Sequence, residues 1–230
     1  MTLQPHTLPP AIVFDWDNTL IDTLPLIADA NNRIRSHFGL PDWTMEEVHS
    51  STQQVGREGL RRHYGERWQE AEKIFYDYIG ANHLTGLRLM PGAEDLILWL
   101  KGAGVPMAIL SNKRGGLLRA EVEQLGWSGH FSVILGPDDI DNIGKPRPEG
   151  MWAIMDRLAT QQDMRAHVWY AGDTGNDLKT AHAAGVIPVF IENTKVSHVE
   201  NIVELQPVFH FRGCIDCLDY LKRLSDSAPK

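Results

Sequence analysis

Ala11-Ile12-Val13-Phe14-Asp15-Trp16-Asp17-Asn18-Thr19-Leu20 opens with four apolar residues and runs directly into two acids and an asparagine. A short apolar run that ends in turn-forming polar residues reads as a buried strand with a polar exit. The pattern recurs: Val105 to Leu110 runs into Ser111-Asn112, Phe131 to Leu135 into Gly136-Pro137-Asp138, and Val168 to Ala171 into Gly172-Asp173. Val186 to Phe190 follows, and Val208-Phe209 reads as a last short strand. Helical periods lie between these runs. One starts at Pro91-Gly92-Ala93, carries Leu96 and Leu100, and closes at Gly102 and Gly104. Others are Leu117-Leu118, Val122 and Leu125 up to Gly126; Met151, Ile154, Met155 and Leu158; and Asp177 to Ala184, with Gly185 as a C-terminal cap. Strand alternating with helix predicts an α/β fold whose parallel sheet is covered on both faces.

Residues 21–88 break the alternation. No strand pattern falls there, while Leu26-Ile27, Ile34 and Phe38 form one helical face and Trp68, Ala71, Ile74, Phe75, Tyr78 and Ile79 form another. We read residues 21–88 as a helical domain inserted after the first strand, with 1–20 and 89–230 forming the core. The insert holds ten acidic and eight basic residues, so most of the chain's net charge of −8 lies in the core. Trp16 is expected to point into that core, Trp152 and Trp169 to serve packing, and Ser225 to Lys230 to fray.

Composition limits the partners. With 43% hydrophobic residues the 230-residue chain can build a core. An acidic chain without a basic tail is a poor fit to a nucleic-acid backbone or an anionic membrane surface. The apolar runs are of strand length, too short to span a bilayer. The first residues have no basic region followed by an apolar stretch, and two cysteines make no disulfide framework, so the cytoplasm is the expected compartment.

In open α/β sheets, ligands bind beyond the carboxyl ends of the strands. Asp15, Asp17, Ser111, Asp173 and, four residues on, Asp177 are gathered there by the strand pattern, and Lys145 lies in a Gly-Lys-Pro-Arg-Pro segment just before a helix. Each has a plainer role available as a turn residue, a helix cap or a solvated charge. Together they place several carboxylates at one sheet edge, where they repel unless a cation joins them. All-oxygen ligands favour Mg²⁺.

Phe14-Asp15-Trp16-Asp17-Asn18-Thr19-Leu20, Leu110-Ser111-Asn112-Lys113, Gly144-Lys145-Pro146 and Gly172-Asp173-Thr174-Gly175-Asn176-Asp177 resemble the four motifs of the haloacid dehalogenase-like hydrolase superfamily. The second and third motifs look most like its phosphoglycolate phosphatase branch. The resemblance implies a Rossmann-like core and makes the helical insert the family's cap domain. It implies that Asp15 is the nucleophile, forming an aspartyl-phosphate, and that Asp17 is the general acid and base. Asp15 is expected to be anionic at neutral pH, as an unperturbed carboxylate is. Ser111 and Asn112 would meet the substrate, Ser111 through a phosphoryl oxygen. Lys145 would neutralise charge and steady Asp15. Asp15, the Asp17 backbone carbonyl, Asp173 and Asp177 would hold Mg²⁺. Asn18 stands where the family usually has glycine, and Asn tolerates the left-handed conformation better than most residues. An acid at position 17, which the dehalogenase members lack, favours phosphate ester chemistry.

Within the insert, Gln53-Gln54-Val55-Gly56-Arg57 is the expected substrate loop, with Gly56 and Arg57 at a small phosphate ester. The expected activity is a Mg²⁺-dependent phosphomonoesterase, monomer or homodimer, possibly acting on 2-phosphoglycolate. Alternatives are a sugar phosphomutase, a nucleotidase or pyrophosphatase, and a non-catalytic phosphate-binding module. Cys214-Ile215-Asp216-Cys217 has no second ligand pair for zinc and reads as packing.

Overall fold

Six strands form one parallel sheet: β1 (Ile12–Phe14), β2 (Met107–Leu110), β3 (Val133–Leu135), β4 (Trp169–Gly172), β5 (Ile187–Ile191) and β6 (Phe209–Phe211). They lie in the order β3-β2-β1-β4-β5-β6. The computed structural model describes residues 7–52, 56–158, 162, 164–193, 202 and 204–227. Phe14 pairs with Ile109 on one side and with Ala171 on the other, so β1 is the central strand. The chain runs from β1 outward to β2 and β3, then crosses back to β4 on the opposite side of β1. That reversal makes the switch point at which such sheets leave a crevice.

Residues of β1, β2, β4 and β5 are buried throughout, as strands covered on both faces require. Phe14, Trp16, Trp169 and Tyr170 are among the largest fully buried side chains. Each such side chain contributes roughly 1.5–3 kcal/mol relative to exposure. Covering helices are α5 (Ala93–Gly102), α6 (Gly115–Gln124), α7 (Glu149–Arg157), α8 (Gly175–Ala184) and α9 (Cys214–Ser227). One apolar layer joins Val13, Ala108, Leu110 and Tyr170 of the strands to Met151, Ile154 and Met155 of α7. Gly185 closes α8 in the left-handed conformation, which its lack of a side chain permits.

Between β1 and β2 the chain forms α1 (Leu24–His37), α2 (Met45–Thr52), α3 (Gly56–Tyr64) and α4 (Trp68–Asn82). Asp22–Arg88 is a compact unit with its own apolar centre, in which Ile34, Tyr64 and Ala71 pack with Phe38, Leu60, Ile74 and Phe75. The rest of the chain is the second unit. No helix among the described residues is long and apolar enough to cross a membrane.

Three expectations are corrected. The last strand begins at Phe209 and runs to Phe211, two residues further than read. Residues 225–227 continue α9, because Cys214, Cys217, Leu218, Leu221 and Leu224 form one buried face that carries the helix onward. Trp152 is 44% exposed on α7, whereas Trp169 is buried and packs on Phe209, Phe211 and Tyr220.

Candidate active site

The carboxyl end of β1 builds the first part of the site. Asp15 extends the ladder, its N–H donating to the Ala171 carbonyl at 2.8 Å. The chain then turns sharply: Leu20 and Ile21 both donate to the Trp16 carbonyl, and Asn18 donates to that of Ile21. Asn18 sits at φ +62°, the left-handed conformation that Asn tolerates better than most residues. The turn separates three neighbours. The Asp15 carboxyl is buried in the site, Trp16 is fully buried in the core, and Asp17 remains partly open to solvent.

Lys145 reaches this point from the loop before α7. Its Nζ lies 2.6 Å from Asp15 Oδ1 and 2.7 Å from Asp177 Oδ1. Thr19 donates its hydroxyl to Asp173 Oδ1 at 2.9 Å, tying the β1 turn to the end of β4. Asp177 is a buried hub. Its Oδ1 also accepts from the Tyr170 hydroxyl at 2.9 Å, and its Oδ2 accepts from the backbone N–H and the hydroxyl of Thr174. The capping role open to Asp177 and its place in the site are therefore held by the same carboxylate. A Cβ on Gly172 would stand 2.3 Å from the Asp177 Cγ, so glycine is required there.

One oxygen from each of Asp15, Asp173 and Asp177 falls within 4.8 Å of the others. All three residues are buried, and one ammonium, Lys145, stands among them. Burial pushes the Asp15 carboxyl up to about 7; Lys145 pulls it down, and Asp177 and Asp17 push it further up. This corrects the expectation of an unperturbed carboxylate. Burial also holds Asp173 well above the carboxylate range, reinforced by Asp15 and Asp177. For Lys145, burial disfavours the ammonium, but Asp15 and Asp177 outweigh it and hold its pKa above the ordinary value. Burial and the surrounding carboxylates push the Tyr170 phenol well above its usual range, so it stays a donor. Buried hard oxygen donors that repel one another fit a small divalent cation such as Mg²⁺.

The Asp17 carboxylate is not part of this cluster. Its Oδ1 meets Lys113 Nζ at 2.6 Å. Lys113 also donates to Glu121 Oε1 and Oε2, at 2.9 and 2.7 Å, and the Trp16 indole N–H donates to Glu121 Oε2 at 2.7 Å. Burial works against the Lys113 ammonium, yet Asp17 and Glu121 hold its pKa above the ordinary value.

Ser111 is buried at the end of β2, its Oγ accepting the Lys113 N–H at 3.1 Å. Its own hydroxyl hydrogen can still be donated. Asn112, expected at the substrate, also has a structural task. Its Oδ1 accepts the Lys145 N–H at 2.7 Å and its Nδ2 donates to the Lys145 carbonyl at 3.2 Å, clamping the loop that carries Lys145. The peptide bond between Lys145 and Pro146 is cis.

Of the sequence-predicted residues, Asp15, Lys145, Asp173 and Asp177 converge directly, with Ser111 and Asp17 at neighbouring strand ends. Gly56 opens α3, but Gln53 to Val55 and the side chain of Arg57 lie outside the described residues. Glu121, Tyr170 and Thr19 were missed. Glu121 left a signal: it occupies a core-facing position of α6 beside Leu118 and Val122, where an acid needs a partner.

A family model described as haloacid dehalogenase-like hydrolase matches residues 12–191. A phosphoglycolate phosphatase of Chromobacterium violaceum is 30% identical over 193 residues, covering 79% of this chain and 84% of its own. One from Pseudomonas putida is 29% identical over 196 residues, covering 80% and 70%. A haloacid dehalogenase-like hydrolase from Streptococcus pneumoniae shares the fold, with TM-score 0.81 at 19% identity over 91% of this chain and 97% of that one. A match running from the first strand to the fifth, joined by relatives aligned over most of their length, means that this chain belongs to the haloacid dehalogenase-like hydrolase family and is a phosphatase-type enzyme.

Proposed function

We propose that the chain hydrolyses small organic phosphomonoesters in two steps through an aspartyl-phosphate on Asp15. The observation that carries this reading is the Asp15 carboxylate, held 2.6 Å from Lys145 at the end of the central strand, with the Asp17 carboxylate two residues on. Asp15 attacks phosphorus as the ester P–O bond breaks, and Asp17 gives its proton to the leaving alkoxide. Asp17 then takes a proton from water, which attacks phosphorus and breaks the bond to Asp15. Ser111 donates to a phosphoryl oxygen, and Lys145 balances the charge that develops beside Asp15. Mg²⁺ held by Asp15, Asp173, Asp177 and the Asp17 backbone carbonyl would neutralise the phosphoryl oxygens and let an anionic substrate approach. The named relatives make 2-phosphoglycolate the leading substrate.

Phosphate release from a panel of 2-phosphoglycolate, nucleotides and sugar phosphates tests this. Release that requires Mg²⁺, stops with EDTA and falls at least ~10³-fold in Asp15→Asn is the expected result, since the nucleophile is then lost. Full activity in Asp15→Asn overturns the covalent step. Isomerised sugar phosphate with little free phosphate would reassign the chain as a mutase, and phosphate binding without turnover would make it a binding module.

A further inference from the structure

Lys113 and Glu121 have no part in the chemistry described above, yet they are built into the molecule with unusual care. Glu121 is fully buried on α6, within an otherwise apolar face. Both of its oxygens accept from Lys113 Nζ, and one also accepts from the indole of Trp16, 105 residues away in sequence. Trp16 is itself fully buried and lies edge-on to Trp127 at 6.1 Å. The ammonium held in this way has its remaining short contact at Asp17 Oδ1, 2.6 Å away. Burying an ion pair yields little net stability, because desolvating both charges offsets their attraction. A hydrophobic pair at these two positions would serve the core as well. What a hydrophobic pair cannot do is hold a carboxylate in one rotamer at the mouth of the site.

We propose that Glu121 and Lys113 are positioning residues that fix the Asp17 carboxylate in the orientation needed to exchange a proton with the leaving group and with water. This rests on the phosphatase chemistry proposed above. Trp16 ties the device to the backbone turn that carries Asp15, so nucleophile and acid are set by adjacent residues of one turn. Donation from Lys113 Nζ to Asp17 Oδ1 leaves Oδ2 as the oxygen assigned to the proton exchange. In this role Lys113 acts through Asp17, which separates its effect from that of an anion-binding lysine.

The test compares wild type, Lys113→Met and the double variant Lys113→Met/Glu121→Gln, using 2-phosphoglycolate and p-nitrophenyl phosphate as probes. The double variant removes the uncompensated buried charge that Lys113→Met alone would leave. Both variants are expected to lower kcat for 2-phosphoglycolate about 30-fold, a share of the ~10²–10⁴-fold that general acid–base catalysis supplies, with KM within about 3-fold of wild type. The pre-steady-state burst of p-nitrophenolate should slow less than about 3-fold, because a good leaving group needs little help from an acid. A merely structural defect would slow both substrates alike. A raised KM with kcat unchanged would make Lys113 a substrate anchor and overturn the inference. So would wild-type kcat in the double variant, which would trace the single variant's defect to an unpaired Glu121. Wild-type protein that turns over neither ester overturns the phosphatase chemistry and this inference together; wild-type activity matched by both variants overturns the inference alone.

Discussion

Asp15 and Asp173 show how far one residue's chemistry depends on its neighbours. Both carboxyls are pushed above their ordinary value, Asp15 to about 7, first by burial and then by neighbouring carboxylates, Asp177 in both cases. Such a group holds its proton more tightly in the folded state than in the unfolded chain. Folding stability therefore falls as pH rises, beginning at the unfolded value near 4 and continuing through the folded one near 7. His63, held below its usual value by partial burial, acts in the opposite direction but independently of any cation at the site. The difference between Mg²⁺-loaded and metal-free protein isolates the carboxylates. Stabilisation by 10 mM Mg²⁺ is expected to grow by about 5 °C in melting temperature between pH 5 and pH 8, measured by thermal unfolding. A Mg²⁺ effect that is absent or flat with pH would remove these carboxylates from the cation site.

At the scale of elements, the strand exits were legible because a buried parallel strand reads as an apolar run, and a polar residue after it stands out. Asp15, Ser111 and Asp173 were found in that way. The contacts that complete the site were not legible, since they join residues on different elements. Trp16 and Glu121 are 105 residues apart, and Thr19 and Asp173 are 154 apart. The bond from the Asn112 amide to the backbone of Lys145, 33 residues on, was hidden for the same reason. Asn112→Ala frees that loop without removing a charge. We expect kcat to fall about tenfold as Lys145 loses its placement, with KM changed less than about 3-fold. Steady-state kinetics check this, and a dominant rise in KM would return Asn112 to the substrate.

Across the whole molecule, α9 reports on the integrity of the sheet. Cys214 and Cys217 are buried in its first turn, and Cys214 Sγ lies 3.4 Å from the Thr19 carbonyl, which it can reach as a donor. Burial pushes the Cys214 thiol up to about 12 and Cys217 well above its usual value, so neither is a thiolate at neutral pH. Reaction with dithiodipyridine at pH 8 should be at least ~100-fold slower in native protein than in denaturant, where both thiols react. Rapid reaction of one thiol in native protein would mean that α9 opens separately from the sheet.

The central position of β1 has a consequence for how the protein is made. Synthesis starts at the N-terminus, so Ile12–Phe14 leaves the ribosome before the helical unit and well before either flanking strand. Its neighbour on one side is completed at Leu110 and the other only at Gly172. The nascent chain therefore carries an apolar segment without both of its permanent partners until Gly172 has been made, while Asp22–Arg88 has its own apolar core to assemble. Asp15 is translated well before Asp173 and Asp177, so its surroundings are completed only after both have emerged.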